Sequence, residues 1–146
     1  MIKQYLIILL AIFKASYYAG LELGIQKFKV RFKNKSTDKV AGWTSVDDDK
    51  ICVYFYFRDI INVWKEIESD TDISFGEFVY KLARHEFRHV WQAQNCFAAF
   101  LRDGQLIYQL QLREADANAY ALGYPTYSVA EFEEAVEYNL RLYNIC

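Results

Sequence analysis

SFGEFVYKLARHEFRHVWQAQ, residues 74–94, is the stretch on which the fold turns. Ser74 stands three residues before Glu77. In that pattern the serine side chain accepts from the backbone N–H three residues on, and the glutamate reaches back to the serine N–H. The spacing predicts a helix over 75–94. This helix carries both histidines of the chain, His85 and His89, with Glu86 between them. Residues four apart lie on one face of a helix. The two imidazoles therefore address one point, the spacing required to bind one Zn2+. In an HExxH site the glutamate is not a ligand; it takes the proton of the attacking water.

Working outward from this helix, the next pattern downstream is CFAAFLR (96–102), a short piece ending at the turn Asp103-Gly104. QLIYQLQLREADANAYAL (105–122) then reads as one long helix, stopped by Gly123 and Pro125. Ser128 and Glu131 repeat the capping pattern and open a last helix over 129–143.

Upstream, DIINVWKEIE (59–68) reads as a short amphipathic helix. VAGWTSV (40–46) and ICVYFYF (51–57) read as strands joined by a hairpin at DDDK (47–50). The three aspartates lack the ligand spacing of a calcium loop and read as a solvated turn. KFKVRFK (27–33) alternates strictly: Phe28, Val30 and Phe32 point one way, and Lys27, Lys29, Arg31 and Lys33 the other. This is a half-buried strand, and its basic face reads as a solvated one that resists edge aggregation, with a nucleic-acid-binding face of a structural domain as the alternative. Residues 4–23 form an apolar helix ending near Gly20 to Gly24. Its run YLIILLAIF (5–13) follows Lys3 as in an export signal, but no small-x-small cleavage site follows. It reads as a buried helix of the fold, too short in its apolar run to span a bilayer. The oligomeric state is left open by the sequence, with this apolar segment as a surface on which a second copy could pack.

These elements predict an α+β fold over residues 1–146 as a single domain. A small three-stranded sheet, antiparallel or mixed, packs on a helical layer that holds the HExxH helix and a later Glu-bearing helix. Composition agrees: 53% hydrophobic and 18% aromatic residues exclude a disordered chain. A net charge of −2 gives no global attraction to nucleic acid, so none is expected as a partner. Three widely spaced cysteines, with no CxxC pair, read as free thiols of a reducing, cytoplasmic compartment. Export through the signal-like segment is the alternative.

Two histidines do not complete a zinc site, and no third exists in the chain. The remaining ligand must be Asp, Glu or Cys. Cys96 and Asp103 fall near a helix end and in a turn. LREADANAYA (112–121) offers a better candidate, because its alanines permit close approach to another helix. Glu114 would then face inward, where a carboxylate needs compensation. Asp116 is the rival, about 100° per residue further round the helix. Asn118, one turn after Glu114, is placed to hydrogen-bond the second ring nitrogen of a ligand histidine.

HEFRH followed by EADAN, with 24 residues between, resembles the gluzincin metallopeptidases, in which HExxH precedes a zinc-binding Glu on an E-x-x-x-D/N helix. The compact size and element order look like the minigluzincins and the ImmA/IrrE-type peptidases. EADANAYA is similar to the ExxANxFA motif of the latter, and the likeness covers about residues 40–123. It implies Zn2+ held by His85, His89 and Glu114, Glu86 as general base and Asn118 orienting a ligand. It also implies a peptide or protein substrate, added as an extra strand along residues 40–46 or 50–57. GYPTYS after the Glu helix departs from the ending of the ImmA-like group, and no histidine remains to stabilise an oxyanion. Tyr120, Tyr124 and Tyr127 are the candidates for that role. Arg88 is expected to brace the helix against an acid. The contrasting expectation is a zinc-stabilised binding or regulatory module that cuts nothing, with the first helix or residues 144–146 (NIC) plugging the cleft.

Overall fold

The computed structural model of the protein describes residues 1–143 and shows the expected α+β fold with a mixed sheet. Helix α1 (Ile2–Leu23) is followed by strands β1 (Lys29–Lys33), β2 (Gly42–Asp47) and β3 (Lys50–Tyr56). Helices α2 (Phe57–Ile67), α3 (Phe75–Asn95), α4 (Phe97–Asp103), α5 (Leu112–Leu122) and α6 (Val129–Leu142) complete the chain.

Strand order is β1-β3-β2. β2 and β3 form the antiparallel hairpin, with Asp47 opposite Lys50 and the turn at Asp48, whose φ is +53°. β1 runs parallel to β3, so β3 is the central strand and β2 an edge. β3 explains the hydrophobic alternation: Ile51, Val53 and Phe55 are buried, while Cys52, Tyr54 and Tyr56 alternate with them on the opposite face. The inner face packs on α3 through Phe28, Phe55 and Phe87, whose rings lie 5.7–6.1 Å apart.

On α1, Ile8, Ile12, Ala15 and Ala19 form one stripe, all at most 2% exposed, packed in one core with Val79, Ala83 and Phe87 of α3. The helix ends at Gly24, where φ of +64° is a conformation that favours glycine. It is the one helix among the described residues long and apolar enough to cross a membrane by length and composition. Its opposite stripe, including Leu6, Leu10, Phe13, Tyr17 and Leu21, is exposed. No residue of α1 lines the cleft described below, so α1 does not plug it. The other suggested plug, residues 144–146, lies outside the described residues.

Several boundaries shift by one or two residues (the strand read over 27–33 is Lys29–Lys33, that over 40–46 is Gly42–Asp47), and two differences matter for the fold. Phe57 starts α2 instead of ending β3; its ring stacks on Tyr5 at 4.5 Å and on Phe32 at 5.7 Å. The long helix expected over 105–122 is only Leu112–Leu122. Residues 105–111 hold a short turn at Tyr108–Leu110 instead. Leu106 and Leu110 mimic helical spacing, but Leu106 drops into a second core with Phe132, Val136 and Leu140 while Ile107 and Tyr108 face outward. α5 begins at Leu112 because Asp103, fully buried, accepts from the N–H groups of Leu112 (3.0 Å) and Arg113 (2.9 Å). A carboxylate distant in sequence thus satisfies two of the orphan donors of a helix start.

Ile12 is buried in the core that α1 shares with α3. Ile12→Ala is expected to destabilise the protein by about 2–5 kcal/mol, read as a lower midpoint in urea unfolding.

Candidate metal centre

α3 and α5 lie side by side and supply the whole cluster. His85 Nε2 is 3.1 Å from Glu114 Oε2, and His89 Nε2 is 3.3 Å from Glu114 Oε1. The two Nε2 atoms are 3.1 Å apart, with the rings at 89° to each other. One donor atom from each of the three residues falls within 4.8 Å of the others, close enough to share one ion. The structure therefore brings together His85, His89 and Glu114 as the sequence suggests.

The outer nitrogens are held in place. Asn118 Oδ1 is 2.8 Å from His85 Nδ1, the position foreseen for it. Gln92 does the same for His89, with Oε1 2.8 Å from Nδ1. The amide of Gln92 has only one consistent orientation. Its Nε2 donates to Asp116 Oδ2 (2.8 Å) and to the Arg113 carbonyl (3.0 Å), so Oε1 must accept from the imidazole. Gln92 Oε1 accepts from His89 Nδ1–H and Asn118 Oδ1 is placed to accept from His85 Nδ1–H, so each ring turns its Nε2 toward Glu114.

Asp116 is not a ligand. Its Oδ1 accepts from the Tyr127 N–H (2.9 Å) and Arg88 Nη2 (3.2 Å), and its Oδ2 from Arg88 Nε (2.7 Å) and Gln92. Arg88 is the expected brace: it also donates to the Tyr127 carbonyl at 2.7 Å and lies 3.7 Å over the Trp91 ring. Cys96 is buried in the second core, and burial pushes its thiol up to about 11, away from thiolate chemistry.

Burial by itself would lower the His89 pKa, but the hydrogen bond to Glu114 and the charges of Glu86 and Glu114 raise it. Burial would raise Glu114; hydrogen bonds from His85 and His89 hold it well below the usual carboxylate range instead. Both shifts have one meaning: the cluster attracts positive charge, whether protons or a cation.

Glu86 is buried, and its carboxylate stands apart from the three donors. It accepts from the Thr44 hydroxyl of β2 at 2.7 Å. Gly42 makes room for it, since a Cβ there would lie 3.0 Å from Glu86 Cγ. β2 thus forms one wall of a cleft of about 530 Å³, with Phe100, Leu101 and Tyr108 opposite. A second recess of about 410 Å³, lined by Phe78, Leu82 and Leu122, shares Gly42, His85, Glu86 and Tyr108 with the first. Together they form a groove passing across the cluster beside the edge strand.

None of the three tyrosines proposed for oxyanion stabilisation lines this groove. The Tyr120 hydroxyl donates to Glu22 of α1 at 2.6 Å, and Tyr124 lies exposed beyond Gly123. Tyr127 is engaged through its backbone with Asp116 and Arg88, and its ring lies 6.2 Å from Phe132. Tyr108, although largely exposed, borders the groove instead; partial burial and then the nearby charge of Glu114 raise its pKa. It was missed because residues 105–111 read as part of a helix. Gln92 carried a legible signal, three residues after His89 on the same helix. Thr44 and Gly42 carried none, since their role depends on strand register. The chain matches no family model, no curated protein and no solved structure.

Arg88 and Asp116 are almost fully buried. Arg88→Ala leaves a buried carboxylate short of two charged donors and is expected to cost about 3–5 kcal/mol, measured by chemical denaturation.

Proposed function

We propose that the chain is a zinc-dependent endopeptidase. The observation that carries this reading is the convergence of two imidazole lone pairs and one carboxylate, with a separate carboxylate, Glu86, in the same groove. The donor set fits zinc. The two Nε2 atoms, 3.1 Å apart, both face Glu114, and each Nδ1 lies 2.8 Å from an amide oxygen, which leaves Nε2 as the ligand atom of each ring. Three protein ligands with nitrogen and oxygen donors leave a fourth position open, the pattern of catalytic rather than structural zinc. When bound, the metal supplies Lewis-acid polarisation of the scissile carbonyl and makes water more acidic.

The chain's own residues do the rest. Glu86 is the general base: it takes a proton from the attacking water and returns it to the departing amine. Thr44 orients that carboxylate, and Gly42 leaves room for it. Tyr108 borders the groove and is placed to donate to a developing oxyanion. The substrate is a peptide or protein in extended form. β2, the edge strand beside the groove, is the element on which it would add as a further strand. β3 was the other candidate for this role; it is central and already paired on both sides.

The full chain is expected to bind one zinc and gain thermal stability on binding. Glu86→Gln should keep the zinc but lose cleavage of an unstructured protein substrate by about 10²–10⁴-fold. Asn118→Ala should weaken zinc about 10–100-fold, read by competition with a fluorescent chelator. Zinc bound without any cleavage would favour the binding-module reading, and no zinc bound by wild type would remove both.

A further inference from the structure

The outward face of the sheet has a composition that neither the metal cluster nor the groove uses. Register places Lys29, Arg31 and Lys33 of β1 directly beside Cys52, Tyr54 and Tyr56 of β3. Tyr54 in turn pairs with Trp43 of β2, which is 54% exposed. One row therefore reads Arg31, Tyr54, Trp43 across the sheet. The rings of Tyr54 and Tyr56 are nearly parallel, at 18°, with centroids 6.3 Å apart. Lys33 Nζ lies 5.0 Å over the Tyr54 ring. All three cations are exposed, and among the described residues none is in an ion pair. The nearby acids are Asp47 at the hairpin end, opposite Lys50, and Asp38 and Asp59, whose charges act on the Tyr56 hydroxyl; Asp59 is buried and accepts from the Ser36 N–H.

We propose that this face is a platform for single-stranded nucleic acid. The sequence reads β1 as a solvated basic strand, but register sets a tier of rings one strand-spacing away from its cations, about 4.8 Å. Phosphates meet the cation tier while bases stack on the ring tier, the combination by which single strands are held without sequence readout. A duplex keeps its base faces covered and cannot use the rings. An acidic peptide or an anionic membrane would use the cations and leave the near-parallel ring pair without a planar partner. The chain carries a net charge of −2, so binding rests on this local cluster and falls as salt rises. The proposal does not depend on the peptidase reading, since the cations and tyrosines involved are not part of the metal cluster.

The test uses the full chain and fluorescence anisotropy of a labelled oligothymidylate of about 16 nucleotides. Binding is expected at ~50 mM salt and should weaken steeply toward ~200 mM. Arg31→Gln with Lys33→Gln should flatten the log–log salt slope by about 1.4, from two cations at about 0.7 each. Tyr54→Ala with Tyr56→Ala should weaken binding about tenfold or more, while Tyr54→Phe with Tyr56→Phe, which keeps rings and fold, should retain it. Circular dichroism confirms that each variant is folded. Three results overturn the proposal: no anisotropy change for wild type, unchanged binding by the folded Gln or Ala pairs, or equal affinity for duplex or phosphatidylserine vesicles.

Discussion

The carboxylate of Asp116 accepts four hydrogen bonds in a dry interface, and the geometry of the cluster follows from that saturation. Arg88 and Gln92 of α3 both reach it, so α5 is fixed against α3 in rotation and in height. Glu114, two residues earlier, then faces the two imidazoles, and Asn118, two later, faces the back of His85. Gln92 belongs to both systems: its amide nitrogen holds Asp116 and its amide oxygen holds His89. A buried carboxylate is costly unless fully partnered, and here the partnering itself specifies one helix register.

The fold was legible where periodicity is local. The Ser74–Glu77 and Ser128–Glu131 caps, the alternation of 27–33 and the aspartate turn each lie within a few residues of the structure they specify. Reading failed at 105–111, where a helix-like spacing of leucines competes with the pull of a second core and with a cap contributed by Asp103. At the site, ligands on two helices could be inferred because helical spacing fixes faces. Asn118 followed from one further turn of the same geometry. The contributions of Thr44, Gly42 and Tyr108 depend on how the edge strand and a loop lie against α3, information held in long-range packing and in no short motif.

β2 joins the two halves of this arrangement. Its inward side touches Glu86, its free edge borders the groove, and its outward side carries Trp43 at the end of the row through Tyr54 to Arg31. Central β3 insulates one surface from the other by filling the interior with Ile51, Val53 and Phe55. A three-stranded sheet thereby presents surfaces of different composition on its two sides.

Glu22, in the last turn of α1, pairs with Arg84 of α3 at 3.1 Å and accepts from the Tyr120 hydroxyl of α5, 98 residues away in sequence. This clasp ties α1 to both α3 and α5. A ribosome delivers Glu22 long before Tyr120, so α1 can pack its inner stripe on α3 before α5 exists, while the clasp itself waits for α5. Assembly of the cluster is consequently a late event in the life of the polypeptide. A chain that ends before α5 holds the two histidines but neither Glu114, nor the Asp116 brace, nor the clasp.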